Sequence, residues 1–172
     1  SDRFIDLVAE GYDCAIRVGT VPESSMVTKR DAPLFGSFVA SPDYIRKFGA
    51  PQVPDDLLTH QALMQGTEPW HVTNGDQIIA INPRGRFKAD NGVALVAAAV
   101  EGVGVAMLPN AIVDEHIASG TLVRVMTRYP PPPAGVYVIR PPGSHVPRKV
   151  QVLIDLLIEY SQQEPSIVGA GR

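Results

Sequence analysis

The stretch ADNGVALVAAAVEGVGVAMLP, residues 89–109, constrains the fold of this chain more than any other segment. It is almost wholly apolar, but glycines and polar residues interrupt it, which argues against a membrane span of about 18 continuous apolar residues. Asn91 is a typical helix N-cap, and Gly102 is a typical residue for ending a helix. We therefore predict a buried helix over 93–100 that leads into a buried strand over 103–108, in which Gly104 allows a close backbone approach.

Helical and strand patterns alternate along the rest of the chain, which predicts an α/β fold. Strands are predicted from short apolar runs bounded by glycine, proline or polar turn residues, at 13–19, 34–40, 62–65, 78–81, 86–89, 122–126 and 136–140. The run at 13–19 has the pattern of a buried parallel strand. Helices are predicted from capping residues and apolar periodicity, with a short one within 51–58 and longer ones at 1–10, 41–49, 110–119 and 146–160.

Composition limits the classes of function. The formal net charge is −3, so nothing suggests that this chain by itself coats DNA, whose binding proteins usually carry a basic patch. A single cysteine, Cys14, leaves no partner for an internal disulfide. The chain does not begin with the basic and apolar segments of a secretory signal. We expect a cytoplasmic protein without a membrane segment, unless the true N-terminus is missing.

The chain carries no recognisable catalytic or metal-binding motif. Its histidines are isolated from one another and from Cys14, so zinc-ligand spacing is lacking. Gly102 and Gly104 begin a dinucleotide fingerprint, but Met107 stands where the third glycine should be. Ser24 and Ser25 have no Gly-x-Ser-x-Gly context. We therefore predict that the protein is not an enzyme and has neither a cofactor nor a metal.

Five blocks in a fixed order carry a resemblance to a known family. They are DRFIDLVAEGYDCAIRVG, FVASPDYIRKFG, ADNGVALVAAAVEGVGVAMLP, GTLVRV and GVYVIRPPGSHVPRKVQVLIDLL. Together they closely resemble the effector-binding domain of LysR-type transcriptional regulators. The resemblance extends from Ser1 to about Tyr160, and the ordered combination is much more specific than any single block.

This resemblance implies a two-lobed fold like that of the type 2 periplasmic solute-binding proteins, in which the chain crosses twice between lobes. We place the crossings near 39–41 and 140–142. Lobe one is then 1–40 plus 141–172, and lobe two is 41–140. Compared with the family, the sequence lacks the first strand and helix of lobe one, and also the winged helix-turn-helix domain. We expect such a chain to be less stable than a longer one.

The predicted effector site combines physical chemistry with the resemblance. A capped helix start offers unpaired N–H groups and a positive dipole end, which suit a carboxylate. The resemblance places the matching helix start, one strand-end loop of lobe one, the crossing and a loop of lobe two around the effector. The corresponding residues are Val18, Gly19, Thr20, Ala40, Ser41, Gln65, Gly66, Asn91 and Gly92, with Arg17 as a further candidate for pairing with an acidic effector. Asn91 and Ser41 could instead serve only as helix caps, and Thr20 only as a turn residue.

The resemblance implies a ligand-sensing and oligomerisation domain that binds a small organic effector, such as an acid, between its lobes. The intact protein is expected to be a homodimer or homotetramer, with the helix over 2–10 as one candidate interface. It would bind DNA only through a helix-turn-helix domain that this chain lacks. A solute-binding protein of a transporter shares the fold and stays open as the alternative. A secretory signal upstream of Ser1 would favour that alternative.

Overall fold

The computed structural model describes residues 11–19, 29–30, 34–139, 147–152 and 155–156. The strands are β1 Ala15–Gly19, β2 Lys29–Arg30, β3 Gly36–Ala40, β4 Ala62–Met64, β5 Trp70–Asn74, β6 Gln77–Ile81, β7 Phe87–Lys88, β8 Val105–Pro109, β9 Val123–Val125 and β10 Gly135–Ile139. The helices are α1 Pro42–Phe48, α2 Gly92–Val100 and α3 Asn110–Ala118, and Pro54–Leu58 forms a 3₁₀ helix. Residues 148–152 and 155–156 are also helical.

Residues 35–132 form one compact unit, built on a five-stranded sheet in the order β7-β4-β8-β3-β9. Strand β4 is parallel to β7 and β8, whereas β3 is antiparallel to β8 and β9. One face of the sheet packs against α2 and α3, with Val39, Leu63, Leu95, Leu108 and Val113 in that core. The other face packs against α1, the 3₁₀ helix and the β5–β6 hairpin, with Phe38, Tyr44, Leu57, Trp70 and Val105 in that core.

The described residues before 35 and after 132 form a second unit. Its strands pair in the order β1-β10-β2, and both pairings are antiparallel. The prediction of a parallel strand at 13–19 is therefore wrong for the partner that the structure describes. An apolar run indicates that a strand is buried, but whether its pairing is parallel or antiparallel depends on the neighbouring strand. The chain changes unit between Leu34 and Phe35 and between Pro132 and Pro133, in both cases before the crossings expected from the sequence.

The local signals for helix ends are confirmed. The Ser41 hydroxyl accepts the Tyr44 N–H at 3.2 Å, and α1 begins at Pro42. The Asn91 side chain accepts the Val93 N–H at 2.8 Å, and α2 begins at Gly92. Gly102 follows α2 with φ of 73° in the left-handed region. These caps lie where the sequence predicts because each depends only on the residue and its immediate neighbours.

One strand of the larger unit is missing from the sequence prediction. The segment Trp70–Asn74 is β5, which the sequence analysis leaves without a strand, and β5 pairs antiparallel with β6. Strands β6 and β7 lie on either side of residues 82–85, which form no regular element, and β7 pairs with β4 in the larger sheet. Strand β5 alternates buried and exposed residues, and its Trp70 and Val72 enter the core.

The helix predicted over 1–10 lies outside the described residues, and the one predicted over 146–160 is described only in part. In α2, Leu95, Val96, Ala98 and Ala99 are buried as predicted, but Val93 in the first turn is 71% exposed. Among the described helices, none has both the length and the apolar content needed to cross a bilayer.

Candidate functional site

The candidate site lies at one edge of the five-stranded sheet, which we call the carboxyl edge. Strands β4, β7 and β8 are mutually parallel along the sheet, so all three end there, at Met64, Lys88 and Pro109. Strand β3 runs the other way, and its first residue, Gly36, pairs with Pro109. Loops at the carboxyl ends of neighbouring parallel strands are the usual ligand-binding positions in open α/β sheets.

Backbone hydrogen bonds and close packing hold these strand ends together. The Ala89 N–H donates to the Met64 carbonyl at 3.0 Å, which joins the segment after β7 to the end of β4. The Asn110 N–H donates to the Phe35 carbonyl at 2.9 Å, which joins the start of α3 to the residue before β3. Gly92 lies so close to the Ile112 side chain that an added Cβ would be 3.0 Å from Ile112 Cδ1. The starts of α2 and α3 are therefore neighbours at the carboxyl edge.

The two helix starts differ in how their N–H groups are satisfied. In α2 the Asn91 side chain caps the first turn, because its Oδ1 accepts the Val93 N–H. In α3 the N-cap position is Pro109, and no side-chain cap hydrogen bond is formed. The first N–H groups of a helix have no intrahelical partner, and the helix dipole makes this end positive. Of the two helix starts, the exposed one of α3, with Ala111 and Ile112, is therefore better suited to bind an anion.

A polar network that the sequence analysis does not predict lies beside the α3 start. The Ser37 hydroxyl donates to the Asn110 side-chain oxygen at 2.7 Å and accepts the Arg124 Nε–H at 3.2 Å. Arg124 also pairs with Asp114 of α3 at 2.6 Å. The network orients Asn110 and brings a guanidinium near the carboxyl edge. The only sequence signals are a serine inside an apolar strand and an asparagine directly after a strand-ending proline.

Four of the predicted effector residues lie at the carboxyl edge. Gln65 and Gly66 directly follow β4, and Gly66 has φ of 71°, a left-handed conformation that glycine adopts readily. Asn91 and Gly92 begin α2. The structure therefore brings together the two predicted segments of the larger unit that follow parallel strands.

Ala40 and Ser41 lie at the opposite edge of the same sheet. Ala40 ends β3 and pairs with Val123, the first residue of β9, and both Ala40 and Ser41 are buried. The Ser41 hydroxyl is occupied as the cap of α1. Their predicted role in effector binding depends on a first crossing at the end of β3, whereas the change of unit comes before β3 begins.

The remaining predicted residues belong to the smaller unit. Arg17, Val18 and Gly19 lie in β1, where they pair with Tyr137, Val136 and Gly135 of β10. Thr20 lies outside the described residues. A role for these four residues in effector binding stays a prediction.

The resolved pKa shifts all lie away from the carboxyl edge. Burial lowers the pKa of His60 and raises that of Tyr44, and these residues contact each other near Gln61, at the beginning of β4. Hydrogen bonds from the Gln52 and Val53 N–H groups lower the pKa of Asp56 in the 3₁₀ helix. Shifted titratable groups are a common mark of acid–base catalysis. The described part of the carboxyl edge offers hydrogen-bond donors and a helix dipole instead.

Comparison with known proteins identifies the relatives of this chain. A family model described as the LysR substrate binding domain matches residues 1–162. An HTH-type transcriptional regulator of Haemophilus influenzae is 32% identical over 154 residues, which cover 87% of this chain and 54% of that protein. The HTH-type transcriptional activator AaeR of Escherichia coli is 32% identical over 162 residues, covering 90% of this chain and 52% of AaeR. The chain thus spans about half the length of these curated relatives.

A solved structure agrees with these sequence relatives. The full-length Vibrio cholerae virulence activator AphB, a member of the LTTR protein family, is similar with a TM-score of 0.73 at 29% identity. The match covers 94% of this chain and 56% of the AphB chain. These comparisons confirm the predicted fold class, the two-lobed periplasmic-binding-protein-like α/β fold. The matched proteins are transcriptional regulators, so the comparisons favour that function over the transporter alternative.

Proposed function

The chain belongs to the LysR substrate-binding-domain family, and from this membership we propose that it senses a small organic acid for a DNA-binding transcriptional regulator. The single observation that carries the choice of ligand is the convergence of the α2 and α3 starts at the carboxyl edge, with α3 lacking a side-chain cap. The Asn110 N–H already donates to Phe35, so a carboxylate at this position would accept from the Ala111 and Ile112 N–H groups and interact favourably with the helix dipole.

The surroundings of the α3 start favour a ligand with an apolar body. Val93 and Ile112, from the first turns of α2 and α3, are exposed. Asn110 and Arg124, which belong to the polar network beside the α3 start, supply polar groups there. Ligand sites of this kind combine apolar walls with a few polar groups that fix orientation. The proposed effector therefore has one carboxylate and an apolar remainder, and the chain binds it without chemical conversion.

The rest of the proposed function concerns the whole protein. We propose that the two compact units are the two effector-binding lobes, that the protein works as a homodimer or homotetramer in the cytoplasm, and that a helix-turn-helix domain outside this chain contacts DNA. Support comes from the relatives, which are HTH-type transcriptional regulators, and from the match to full-length AphB. An effector can then shift the state of the protein only as far as its affinities for the two states differ.

A charge placed at the α3 start tests the ligand site. Ala111→Glu adds a negative charge to the first turn of α3. This charge interacts favourably with the positive end of the helix dipole but repels a bound carboxylate. Ala118→Glu, at an exposed position in the last turn of the same helix, is the matched control. A panel of small aromatic and aliphatic carboxylates is screened by isothermal titration calorimetry. We expect Ala111→Glu to weaken the best ligand by roughly tenfold or more and Ala118→Glu to leave it unchanged. Equal affinities in all three proteins would contradict this site.

The coding DNA upstream of Ser1 tests the regulatory context. We expect about 120 codons that encode a helix-turn-helix domain, a linker helix and the opening strand of lobe one. A secretory signal followed directly by a lobe-one strand would instead support a transport-linked binding protein.

A further inference from the structure

A recess in the larger unit lies beside β7 and reaches the carboxyl edge, since Met64 and Lys88, the last residues of β4 and β7, are in its lining. It has a volume of about 250 Å³ and lies between the loop after β4 and the segment that leads into β7. The residues that line it are Met64, Thr67, Glu68, Asn82, Pro83, Arg84, Gly85 and Lys88. None of the predicted effector residues is among them.

The recess carries more positive than negative charge. Arg84 and Lys88 are exposed cations that form no ion pair with the described part of the chain, and Glu68 is the one acid in the lining. Thr67 and Asn82 add neutral hydrogen-bonding side chains. Two cations with neutral donors suit an anion of more than one charge, since hydrogen bonds from charged donors are about twice as strong as neutral ones.

The backbone that carries the two cations is fixed without a ligand. The Ala62 N–H donates to the Arg84 carbonyl at 3.0 Å, and Lys88 pairs with Met64 in the β4–β7 ladder. Between them, Gly85 lies against the backbone of Ala62 so closely that an added Cβ would be 1.7 Å from the Ala62 carbonyl oxygen. Binding at this recess would therefore cost little ordering of the main chain.

We propose that this recess is a binding site for a compact tetrahedral dianion, namely phosphate, either free or as a small monoester. Arg84 and Lys88 neutralise the dianion, and Thr67 and Asn82 donate to its remaining oxygens. Glu68 accepts from a ligand hydroxyl, either the acidic P–OH of free phosphate or a sugar-like hydroxyl of a monoester. The volume of about 250 Å³ suits a small ligand, since sites for drug-sized molecules usually measure about 300–1,000 Å³. This site does not depend on the proposed effector function.

The chain provides a matched control for the test. Arg86 is an exposed cation in the same extended segment, midway between Arg84 and Lys88, but it does not line the recess. Inorganic phosphate and glycerol phosphate are titrated into the full chain by calorimetry, in chloride buffer, with Arg84→Gln, Lys88→Gln and Arg86→Gln compared. We expect the first two changes to weaken binding by roughly tenfold each and Arg86→Gln by less than about twofold. The tighter of the two probes identifies the source of the phosphate.

Glu68→Gln checks the ligand chemistry. Sulfate has the same shape but no proton to donate, so we expect Glu68→Gln to strengthen sulfate binding and to weaken the preference for phosphate over sulfate. Melting temperatures of all variants verify folding. Three results would each overturn the proposal. The first is no phosphate binding at millimolar concentration, and the second is a loss of affinity in Arg86→Gln equal to that in Arg84→Gln and Lys88→Gln. The third is displacement of phosphate by duplex DNA at a concentration of DNA phosphate groups below that of the free phosphate. The last two would indicate a diffuse surface charge.

Discussion

The hydroxyl of Tyr44 lies 2.9 Å from Nδ1 of His60, and the same hydroxyl accepts the N–H of Gln61 at 3.1 Å. In the neutral tautomer that carries its proton on Nε2, Nδ1 of His60 accepts the Tyr44 hydroxyl proton, while the same hydroxyl oxygen accepts the Gln61 N–H. Only the neutral imidazole provides this acceptor. Tyr44 is 2% exposed and belongs to the core between α1 and the sheet, so the protonation state of His60 is linked to core packing.

This geometry predicts a dependence of stability on pH. Burial lowers the pKa of His60 below its ordinary value of 6.5, although the nearby Asp56 carboxylate offsets part of the shift. The unfolded chain then takes up the proton first as the pH falls. The contribution of His60 is complete above about pH 6.5 and is lost as the pH falls through the lowered pKa of the folded state. Urea unfolding from about pH 7.5 to about pH 5 measures this loss.

The matched variant for His60 is His60→Gln, whose side-chain oxygen can still accept from Tyr44 but does not titrate. We expect a smaller loss of stability on acidification than in the unchanged protein. Tyr44→Phe should cost about 1–3 kcal/mol at neutral pH, because the Gln61 N–H and the His60 ring both lose a partner. A His60→Gln profile that parallels the original at every pH would refute the linkage.

Gly104 is required by a close approach between two chain segments. A Cβ at this position would lie 2.3 Å from the Gln61 carbonyl oxygen, which itself accepts the Val105 N–H at 2.8 Å. We expect Gly104→Ala to destabilise the protein by roughly 1–3 kcal/mol or more in denaturant unfolding, since backbone must move. Gly120→Ala is the control: its φ is 75° but no atom lies within 4 Å, so its cost should be only about 1 kcal/mol. A cost at Gly104 no larger than that at Gly120 would show that the backbone accommodates the added Cβ and would contradict the crowding.

Asn91 is predicted to act first as a helix cap. Asn91→Ala should lower the free energy of unfolding by about 1 kcal/mol, and Asn91→Asp should largely restore it, because aspartate also caps helices well. If Asn91 also contacts a carboxylate effector, Asn91→Asp will weaken ligand binding while leaving stability intact. Chemical denaturation and calorimetry of the same two variants separate the two roles. Full stability of Asn91→Ala would contradict the cap.

The network around Ser37 should be worth little at the protein surface. The side chains of Arg124 and Asp114 are 40% and 52% exposed, and exposed pairs usually contribute below about 1 kcal/mol. A double-mutant cycle with Arg124→Gln and Asp114→Asn should give a coupling energy in that range. Ser37→Ala should have a larger effect on effector binding than on stability, because it releases the Asn110 side chain. A coupling well above about 2 kcal/mol would mean that the pair stabilises the β9–α3 contact strongly.

The sequence predicts elements whose signals are local. The Ser41 and Asn91 caps, the helix-ending Gly102 and the close approach at Gly104 are all confirmed. The ordered blocks predict the family as well, and comparison confirms it. Each of these features depends on one residue type in a short context, such as a side chain that can cap or a residue that tolerates positive φ.

The β5–β6 hairpin was missed for a different reason. Trp70 and Val72 face the core while His71 and Asn74 are exposed, but this pattern is short and lies in a segment rich in polar residues. Such a segment becomes a strand through packing on the sheet rather than through its own propensity.

By itself, the sequence determined where helices begin and end, which segments are apolar enough to be buried, and which family the chain resembles. Only the tertiary structure decided strand direction and strand order, and these determine which residues meet. Gln65, Asn91 and Asn110 share one edge because β4, β7 and β8 run parallel, whereas Ser41 lies at the other edge because β3 runs against them. Strand pairing depends on contacts between residues far apart in the chain, so no local pattern encodes it.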